Sequence, residues 1–306
     1  MKTHKKMTFA FAKTKNAALI TAVLIAALLC TACSGGTKAF TVTDGASLIL
    51  NPDNLTITVE AITADGSAVA VEGCTETTLA SGTETTLHAQ DTAVILKGKI
   101  TELYCGGNRL TALNVQGLST LQELRCYDNQ LTALNVQGLS ALQELRCGGN
   151  QLTALNVQGL SALQWLYCSG NQLTSLSVQG LNALQWLECD NNQLAFLNVQ
   201  GLNALQVLDC SGNQLTSLNV QGLSDLFWLD CSGNQLNVQA LTSLLTGLPA
   251  RSPSDGAKCT LYAEDSEEGN HTDFTAPAEL YTAFQNAKTK NWKLHKEDSD
   301  TNYVEL

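Results

Sequence analysis

Seven cysteines recur at a fixed spacing of 21 residues, and thiols in such a row could form disulfides or bind a metal. They are Cys105, Cys126, Cys147, Cys168, Cys189, Cys210 and Cys231. Side chains stacked in register on strands about 4.8 Å apart all point the same way, which is poor geometry for a disulfide. No Cys-x-x-Cys pair lies among them, and an apolar environment disfavours the thiolate that a metal needs. We therefore predict that these thiols fill the core, unpaired and without metal.

Groups that could act as acids, bases or nucleophiles are few and scattered. The four histidines all lie outside the repeated segment: His4, His88, His271 and His295. No G-x-S-x-G, H-E-x-x-H, phosphate-loop or dinucleotide-binding motif is present. Glu188 and Asp209 are 21 residues apart and should be neighbours, but on a shallow solvated surface nothing would raise the pKa of either. The sequence therefore predicts that the protein is not an enzyme and uses no cofactor.

The cysteines belong to a repeat of 21 residues that runs without a gap from 101 to 236. The apolar positions of one copy are spaced 3, 2, 5, 3, 2, 3 and 3 apart: Leu121, Leu124, Cys126, Leu131, Leu134, Val136, Leu139 and Leu142. Neither a helix nor a long strand produces this series. A short strand with an irregular return does, with Leu124 and Cys126 inward and Glu123 and Arg125 outward. Such a period predicts a solenoid whose repeats bury their apolar faces by stacking.

The series L-x-x-L-x-C-x-x-N-x-L resembles the leucine-rich repeat, with Cys in the third apolar position. The repeat length and the short return are similar to those of the bacterial, internalin-like class. This resemblance implies an α/β solenoid, a horseshoe with a parallel β-sheet on its concave face. It also implies that an asparagine three residues after each strand ties down the turns of its own and the adjacent repeat. These are Asn108, Asn129, Asn150, Asn171, Asn192, Asn213 and Asn234.

Residues 1–33 are typical of an export signal. Five lysines precede the mostly apolar segment 17–29, which is too short to span a membrane. The sequence Cys30-Thr-Ala-Cys33 that follows resembles the end of a bacterial lipoprotein signal, although Cys30 stands where such signals usually have Leu. We predict lipid attachment at Cys33, since Leu29 makes Cys30 a poor acceptor. Export without a lipid is the alternative.

A β-rich cap is predicted between the signal and the repeats, over residues 34–100. This segment is rich in Thr, Ala and Gly, and its strand-like runs are 55–62, 68–72, 83–88 and 94–100. A solenoid needs such a cap because its first repeat would otherwise leave an apolar face and a sheet edge open.

A second cap is predicted over residues 237–306. Helical spacing over 238–248, a strand at 259–263, a helix at 277–287 and a strand at 292–295 suggest a right-handed crossover that adds parallel strands to the sheet. The acidic loop 264–273 offers oxygen ligands for calcium, but its spacing matches no EF-hand, so we expect a solvated loop. Cys74 and Cys259 lie in opposite caps, and we predict two separate, unpaired thiols.

The outward positions of the strands carry the candidate binding residues, because the rows that they form vary from repeat to repeat. By contrast, Gln116, Gln137, Gln158, Gln179, Gln200 and Gln221 of the returns are identical. Exposed aromatic side chains are frequent at the centres of interfaces. The candidates are Tyr104, Arg125, Tyr127, Arg146, Trp165, Tyr167, Trp186, Glu188, Asp190, Asp209, Trp228 and Asp230. The competing explanation is that exposed strand positions vary because nothing constrains them, whereas the backbone conformation of the returns keeps their residues constant.

The predicted function is protein binding or adhesion through the concave sheet, by a lipid-anchored monomer on the cell surface, in the outer membrane. The alternative is a carbohydrate-binding surface in which Trp165 and Trp186 stack on sugar rings. Beyond residue 33 the chain carries 12 basic and 28 acidic residues, a net charge of −16. Such a surface repels nucleic acid and anionic membrane. The predicted partner is therefore an extracellular or host protein, or a glycan, with membrane contact through the lipid alone.

Overall fold

The N-terminal cap is built from short strands of alternating burial. The computed structural model describes residues 42–264, 268–299 and 302–306, so the predicted signal and Cys33 lie outside the described residues. The cap strands are β1 Gly45–Ile49, β2 Thr56–Thr63, β3 Val69–Glu72, β4 Thr78–Leu79, β5 Thr85–His88 and β6 Ala93–Lys97. All four predicted runs form strands. β1 was not predicted because its five residues are all buried and show no alternation.

Seven short strands follow, one for each repeat. They are β7 Ile100–Tyr104, β9 Glu123–Arg125, β10 Glu144–Arg146, β11 Trp165–Tyr167, β12 Trp186–Glu188, β13 Val207–Asp209 and β14 Trp228–Asp230. Each pairs in parallel with the next, with residues 21 apart as direct neighbours. The predicted leucine-rich repeat solenoid with its parallel sheet is therefore confirmed.

The N-terminal cap joins the solenoid at two places. β2 pairs antiparallel with β7 and extends the main sheet. β8 Ala112–Asn114, in the return of the first repeat, pairs antiparallel with β1 of a separate five-stranded sheet. The cap thus covers both the strand and the return of the first repeat, which closes the open end of the apolar core.

The core runs the length of the solenoid. The inward leucines of each repeat and all seven repeat cysteines are fully buried, with 0% exposure for each thiol residue. The prediction that these cysteines are buried core residues is confirmed, and every cysteine in the described ranges is a free thiol.

The seven asparagines form the ladder that the resemblance implied. Asn150 is representative: its Nδ2 donates to the carbonyls of Cys126 (3.0 Å), Cys147 (3.0 Å) and Gly148 (3.2 Å). Its Oδ1 accepts from the backbone N–H of Leu131 at 3.0 Å. Each amide therefore ties one repeat to the preceding one and satisfies buried backbone groups.

The C-terminal cap continues the same sheet. It comprises α1 Val238–Gly247, a 3-10 turn Pro253–Asp255, β15 Lys258–Ala263, α2 Ala278–Thr289, β16 Lys293–Glu297 and β17 Tyr303–Glu305. β15 pairs in parallel with β14, and β16 with β15, as the predicted crossover requires. β17 was not predicted, and it pairs antiparallel with β16. No helix of the described ranges is long and apolar enough to cross a bilayer.

The invariant glutamines of the returns form a second ladder. Four of them donate their Nε2 to the backbone carbonyl of the asparagine 19 residues further on, at 2.8–3.0 Å: Gln116, Gln137, Gln179 and Gln200. Gln158 donates instead to Ser177 Oγ at 3.1 Å. Five of the six glycines that follow these glutamines have φ between +81° and +87°, which favours glycine. The constancy of the returns thus has a structural cause and gives no independent support to binding by the strand rows.

Candidate functional site

The concave face of the repeats presents two rows of side chains in register. The first row is Glu102, Glu123, Glu144, Trp165, Trp186, Val207 and Trp228, and the second row is Tyr104, Arg125, Arg146, Tyr167, Glu188, Asp209 and Asp230. The structure therefore brings the predicted residues of these rows onto one continuous sheet face. The two rows divide into three parts with different electrostatics.

In the N-terminal third of the face, two of the three glutamates pair with arginines of the chain itself. Glu123 accepts from Arg125 Nε, and Glu144 accepts from Arg146 Nε. Arg125 Nε also lies 3.7 Å from Glu144 Oε1, which links the two pairs. The predicted binding residues Arg125 and Arg146 are thus already engaged within the chain.

Each of these arginines also lies over a tyrosine ring. The guanidinium carbon of Arg125 is 4.6 Å from the ring centroid of Tyr104, and that of Arg146 is 4.3 Å from that of Tyr167. Both distances are within the range of a cation–π interaction. Each of the two arginines therefore has both a carboxylate partner and an aromatic partner within the chain itself.

The centre of the face is aromatic. Trp165 and Trp186 are direct neighbours on β11 and β12, and both are half-buried. The rings of Tyr167 and Trp186 lie 6.3 Å apart between centroids at 37°. Trp186 Nε1 donates to Glu188 Oε1 at 2.7 Å, which fixes the indole beside a carboxylate. The predicted aromatic patch is therefore present, and its rings are held in place.

The C-terminal third carries carboxylates whose pKa values are raised. Burial, followed by the charge of Asp230, raises the pKa of Asp209 to about 7, and burial raises that of Asp230 to about 6. The hydroxyls of Ser211 and Ser232 donate to Asp209 and Asp230 at 2.7 Å and 2.6 Å and oppose this shift. The expectation that nothing raises the pKa of Asp209 is wrong, because β14 and the C-terminal cap exclude water from this corner.

The prediction that Asp230 is an exposed residue of the concave face is also wrong. Only 3% of its surface is accessible. Thr260 of β15 is its neighbour across the sheet and also a hydrogen-bond partner. Tyr303 of β17 lies nearby: burial, then the charges of Asp230 and Asp209, raise the pKa of that phenol to about 12. Asp230 is therefore a covered neighbour of the face rather than a contact residue.

No carboxylate of this C-terminal third has a cationic partner. Glu188, Asp190, Asp209 and Asp230 form no ion pair within 4.0 Å among the described residues. Asp190, in the next outward position after β12, accepts from Ser169 Oγ and from Asn191 Nδ2. Two of the three glutamates at one end of the concave face thus have cationic partners, whereas the carboxylates at the other end have none among the described residues.

A shallow depression of about 450 Å³ joins the aromatic centre to these carboxylates. It brings together five of the predicted binding residues: Tyr127, Arg146, Tyr167, Glu188 and Asp190. Tyr127 is 44% exposed, and its ring covers Gly106, where any side chain would collide with it. Trp228 lies further along, beside Lys258 of β15. The depression has the size of a ligand site but is open along its length.

The buried thiols and the acidic loop were the other candidates for metal binding. Burial raises the pKa of Cys105 and Cys147 to about 12, and the described ranges hold no group of three or more His, Cys, Asp or Glu side chains suited to a metal. In the loop, residues 265–267 lie outside the described ranges. Glu268 accepts from the backbone N–H of Gly233 and Asn270. Calcium binding by this loop stays an untested alternative.

Comparison with known proteins supports the repeat itself. The Leucine Rich Repeat family model matches residues 204–226, which is one repeat. No curated protein sequence matches the chain significantly.

Solved structures similar to this chain include bacterial leucine-rich repeat proteins. An internalin C2 from Listeria monocytogenes has 27% identity and a TM-score of 0.40, over 49% of this chain and 81% of that one. The functional domain of InlJ from Listeria monocytogenes, which includes a cysteine ladder, has 23% identity and a TM-score of 0.32, over 58% and 53%. A leucine-rich repeat protein of Leptospira interrogans has 23% identity and a TM-score of 0.38, over 59% and 56%.

Proposed function

We propose that this leucine-rich repeat protein is a non-catalytic, lipid-anchored surface protein that binds an extracellular or host protein on its concave sheet. One observation carries the proposal: a row of half-buried aromatic side chains runs beside carboxylates that form no ion pair within the described part of the chain. The nearest alternative is that the same aromatic patch binds a glycan.

The contrast between the two ends of the face indicates the chemistry of the partner. At the N-terminal end, each arginine pairs with a glutamate and lies over a tyrosine. At the other end, Trp186 and Trp228 stand beside Glu188, Asp209 and the covered Asp230. Among the described residues, no arginine or lysine forms an ion pair with these three carboxylates. A partner with basic side chains would supply the missing cations, so we propose a basic surface or an extended basic segment.

The aromatic centre would supply most of the affinity. Interface energy concentrates in a few large side chains, often Trp, Tyr and Arg, that lose their water on binding. Trp165, Trp186 and Tyr167 are only half-buried, so a partner can still cover them. The charges mainly give specificity and a faster encounter.

The anchoring part of the proposal rests on sequence. Cys33 follows an apolar segment in a context similar to a lipoprotein signal, and the chain beyond it carries a net charge of −16. An acidic surface is repelled by anionic lipids, so a covalent lipid is the means of attachment that we propose. We place the protein on the outer membrane as a surface-exposed monomer.

The binding proposal is tested by truncating the two central tryptophans. Trp165→Ala and Trp186→Ala should each weaken binding of a partner captured from extracellular or host protein extracts. The expected cost is about 2 kcal/mol or more, or over tenfold in affinity. Glu188→Gln should weaken binding of a basic partner and reduce its salt dependence. Affinity is measured by calorimetry or surface plasmon resonance with the purified partner.

The matched control is Gln158→Ala on the opposite side of the solenoid. This side chain is exposed and donates only to Ser177 Oγ, so its loss should leave both binding and folding nearly unchanged. If Gln158→Ala reduces affinity as much as the tryptophan variants, the concave face is not the site. If the two tryptophan variants lose binding to a glycan array but keep their binding to proteins, the carbohydrate alternative is favoured.

A further inference from the structure

We propose a second binding site, on the return side of the solenoid, that takes a neutral oligosaccharide. The site is a cleft of about 700 Å³ between the return of the last repeat and helix α1. Residues 216–221 form one wall, and α1 with the preceding Asn237 forms the other. None of the concave rows contributes to it, so this site is independent of the proposed protein-binding face.

The cleft exists because a helix replaces the next return. Successive repeats stack at the strand spacing of about 4.8 Å, whereas a packed helix needs an axis separation of roughly 8–10 Å from its neighbour. The last turn of α1 still approaches the repeat closely: a Cβ on Gly247 would lie 3.3 Å from the backbone N of Gln221. The gap therefore remains open beside the rest of the helix.

The glutamine ladder ends in this cleft. Gln200 Nε2 donates to the carbonyl of Asn219 at 2.8 Å, but Gln221 has no following return to receive its amide. Within the described residues the Gln221 side chain makes no hydrogen bond, and it lines the cleft. A side-chain amide that has lost its usual partner is thus available as both donor and acceptor for a ligand.

Most of the residues that line the cleft are polar, and none of them is charged. Nine of its twelve residues have hydroxyl or amide side chains, and none is acidic, basic or histidine. The chain as a whole has 45 charged residues, 28 acidic and 17 basic, so their absence from a cleft of this size is informative. The lining side chains offer a charged ligand no counter-ion, and an apolar ligand would leave the Gln221 amide without a partner.

An exposed aromatic ring stands next to this polar wall. Phe196 is 65% exposed, and the same position in the other repeats holds only alanine or serine: Ala112, Ala133, Ala154, Ser175 and Ser217. Ser217 lines the cleft. The backbone N–H of Gln214 donates to the carbonyl of Leu194, and the side chain of Gln200 donates to the carbonyl of Asn219. These bonds hold the two returns in register, so Phe196 lies one repeat spacing from Ser217.

These features together match the surface of a neutral sugar. Its hydroxyl groups pair with amides and hydroxyls such as those of Gln221, Gln239 and Ser243, while its apolar C–H face can lie on the Phe196 ring. The volume lies within the roughly 300–1,000 Å³ of ligand sites. Phe196 lies one repeat beyond the residues that line the cleft, so a chain of sugars rather than a single ring is needed to reach both.

The test uses neutral hexasaccharides of glucose, mannose and N-acetylglucosamine as probes, with binding to the purified protein followed by NMR titration. Phe196→Ala restores the alanine of other repeats and should fold normally. Ser243→Glu places a charge on the exposed helix wall. Each should weaken binding of the responding hexasaccharide at least tenfold. Tyr281→Ala removes a similarly exposed ring outside the cleft and is the matched control, together with Trp186→Ala on the concave face.

Weakening by Phe196→Ala and Ser243→Glu, with both controls unchanged, supports the cleft. The inference is overturned if none of the hexasaccharides binds at about 5 mM, several times the roughly 1 mM dissociation constant of a weak site. It is also overturned if Trp186→Ala removes binding while Phe196→Ala does not, since the sugar would then lie on the concave face. Neither result bears on protein binding by the concave rows.

Discussion

At the scale of single residues, the properties of a side chain depend on its place along the row. Asp209 and Asp230 occupy the same repeat position as Arg125 and Tyr167. Burial, followed by the charge of Asp230, raises the pKa of Asp209 to about 7, and burial raises the pKa of Asp230 to about 6. The cause is the corner formed by β14, β15 and β17. Glu297 and Asp190 add further negative charge to it, so protonation relieves a local excess of charge.

This pair makes folding stability depend on pH. A carboxyl whose pKa is higher in the folded state binds a proton more tightly there, so stability falls as the pH rises from about 4 through about 7. Asp209→Asn removes one titrating group and should stabilise the protein by about 2 kcal/mol at pH 8, with little change at pH 4. Denaturant unfolding at both pH values measures this effect.

The control for that substitution is Asp225→Asn, which alters an exposed carboxylate on the return side. This substitution should leave the pH dependence of folding stability the same as in the wild type. A stability gain for Asp209→Asn that is equal at both pH values would contradict the ionisation argument.

At the scale of elements, the two ladders explain how three-residue strands form a stable sheet. The strands of β9 to β14 are too short to be stable alone. Each asparagine makes about two hydrogen bonds to the preceding repeat and about two within its own, and the glutamines add one more between repeats on the other side. The C-terminal cap continues this pattern: Asn270 Oδ1 accepts from Leu236 N at 2.7 Å, and its Nδ2 donates to Cys231 O at 2.8 Å.

Removing one member of the asparagine ladder should destabilise the whole solenoid. Asn171 donates to the carbonyls of Cys147, Cys168 and Ser169 and accepts from Leu152 N. Asn171→Ala leaves these buried groups without partners, so we expect a loss of about 3 kcal/mol in unfolding free energy. Thermal and denaturant unfolding give the value.

Asn156→Ala is the matched control for this prediction. Asn156 is exposed, and its side chain accepts only from the backbone N–H of Gln158, so its loss should cost under about 1 kcal/mol. Equal effects of the two substitutions would show that the buried ladder is not a special source of stability.

At the scale of the whole molecule, charge bears on the lipid anchor that we propose. The chain beyond residue 33 carries a net charge of −16, and anionic membranes repel such a surface, so the proposed membrane attachment depends on the lipid. We therefore predict that Cys33→Ser moves the protein from the membrane fraction to a soluble fraction and abolishes incorporation of labelled fatty acid. Cell fractionation and metabolic labelling measure both outcomes.

Cys30→Ser provides the comparison, because Leu29 precedes Cys30 and makes it a poor acceptor. This variant should remain membrane-bound and labelled. Unchanged membrane partitioning of Cys33→Ser would contradict lipid attachment at this residue.

The sequence alone was sufficient for the repeat architecture. The period of 21, the inward Leu and Cys positions and the asparagine ladder could be predicted because seven copies state the same local pattern, and the stacked arrangement follows from it. The C-terminal helices and the parallel strands β15 and β16 were also predictable, since their spacing is local. The positions of Trp165 and Trp186 on neighbouring strands follow from the same register.

The tertiary structure alone decided the electrostatics of the face and the clefts. Whether Asp230 is exposed depends on Thr260 and Tyr303, which lie far along the chain and carry no repeat pattern. The loss of a partner for Gln221 likewise depends on a helix taking the place of a return. Burial, ion pairing and pKa are set by neighbours in space, and a periodic sequence specifies those neighbours only as long as its period continues.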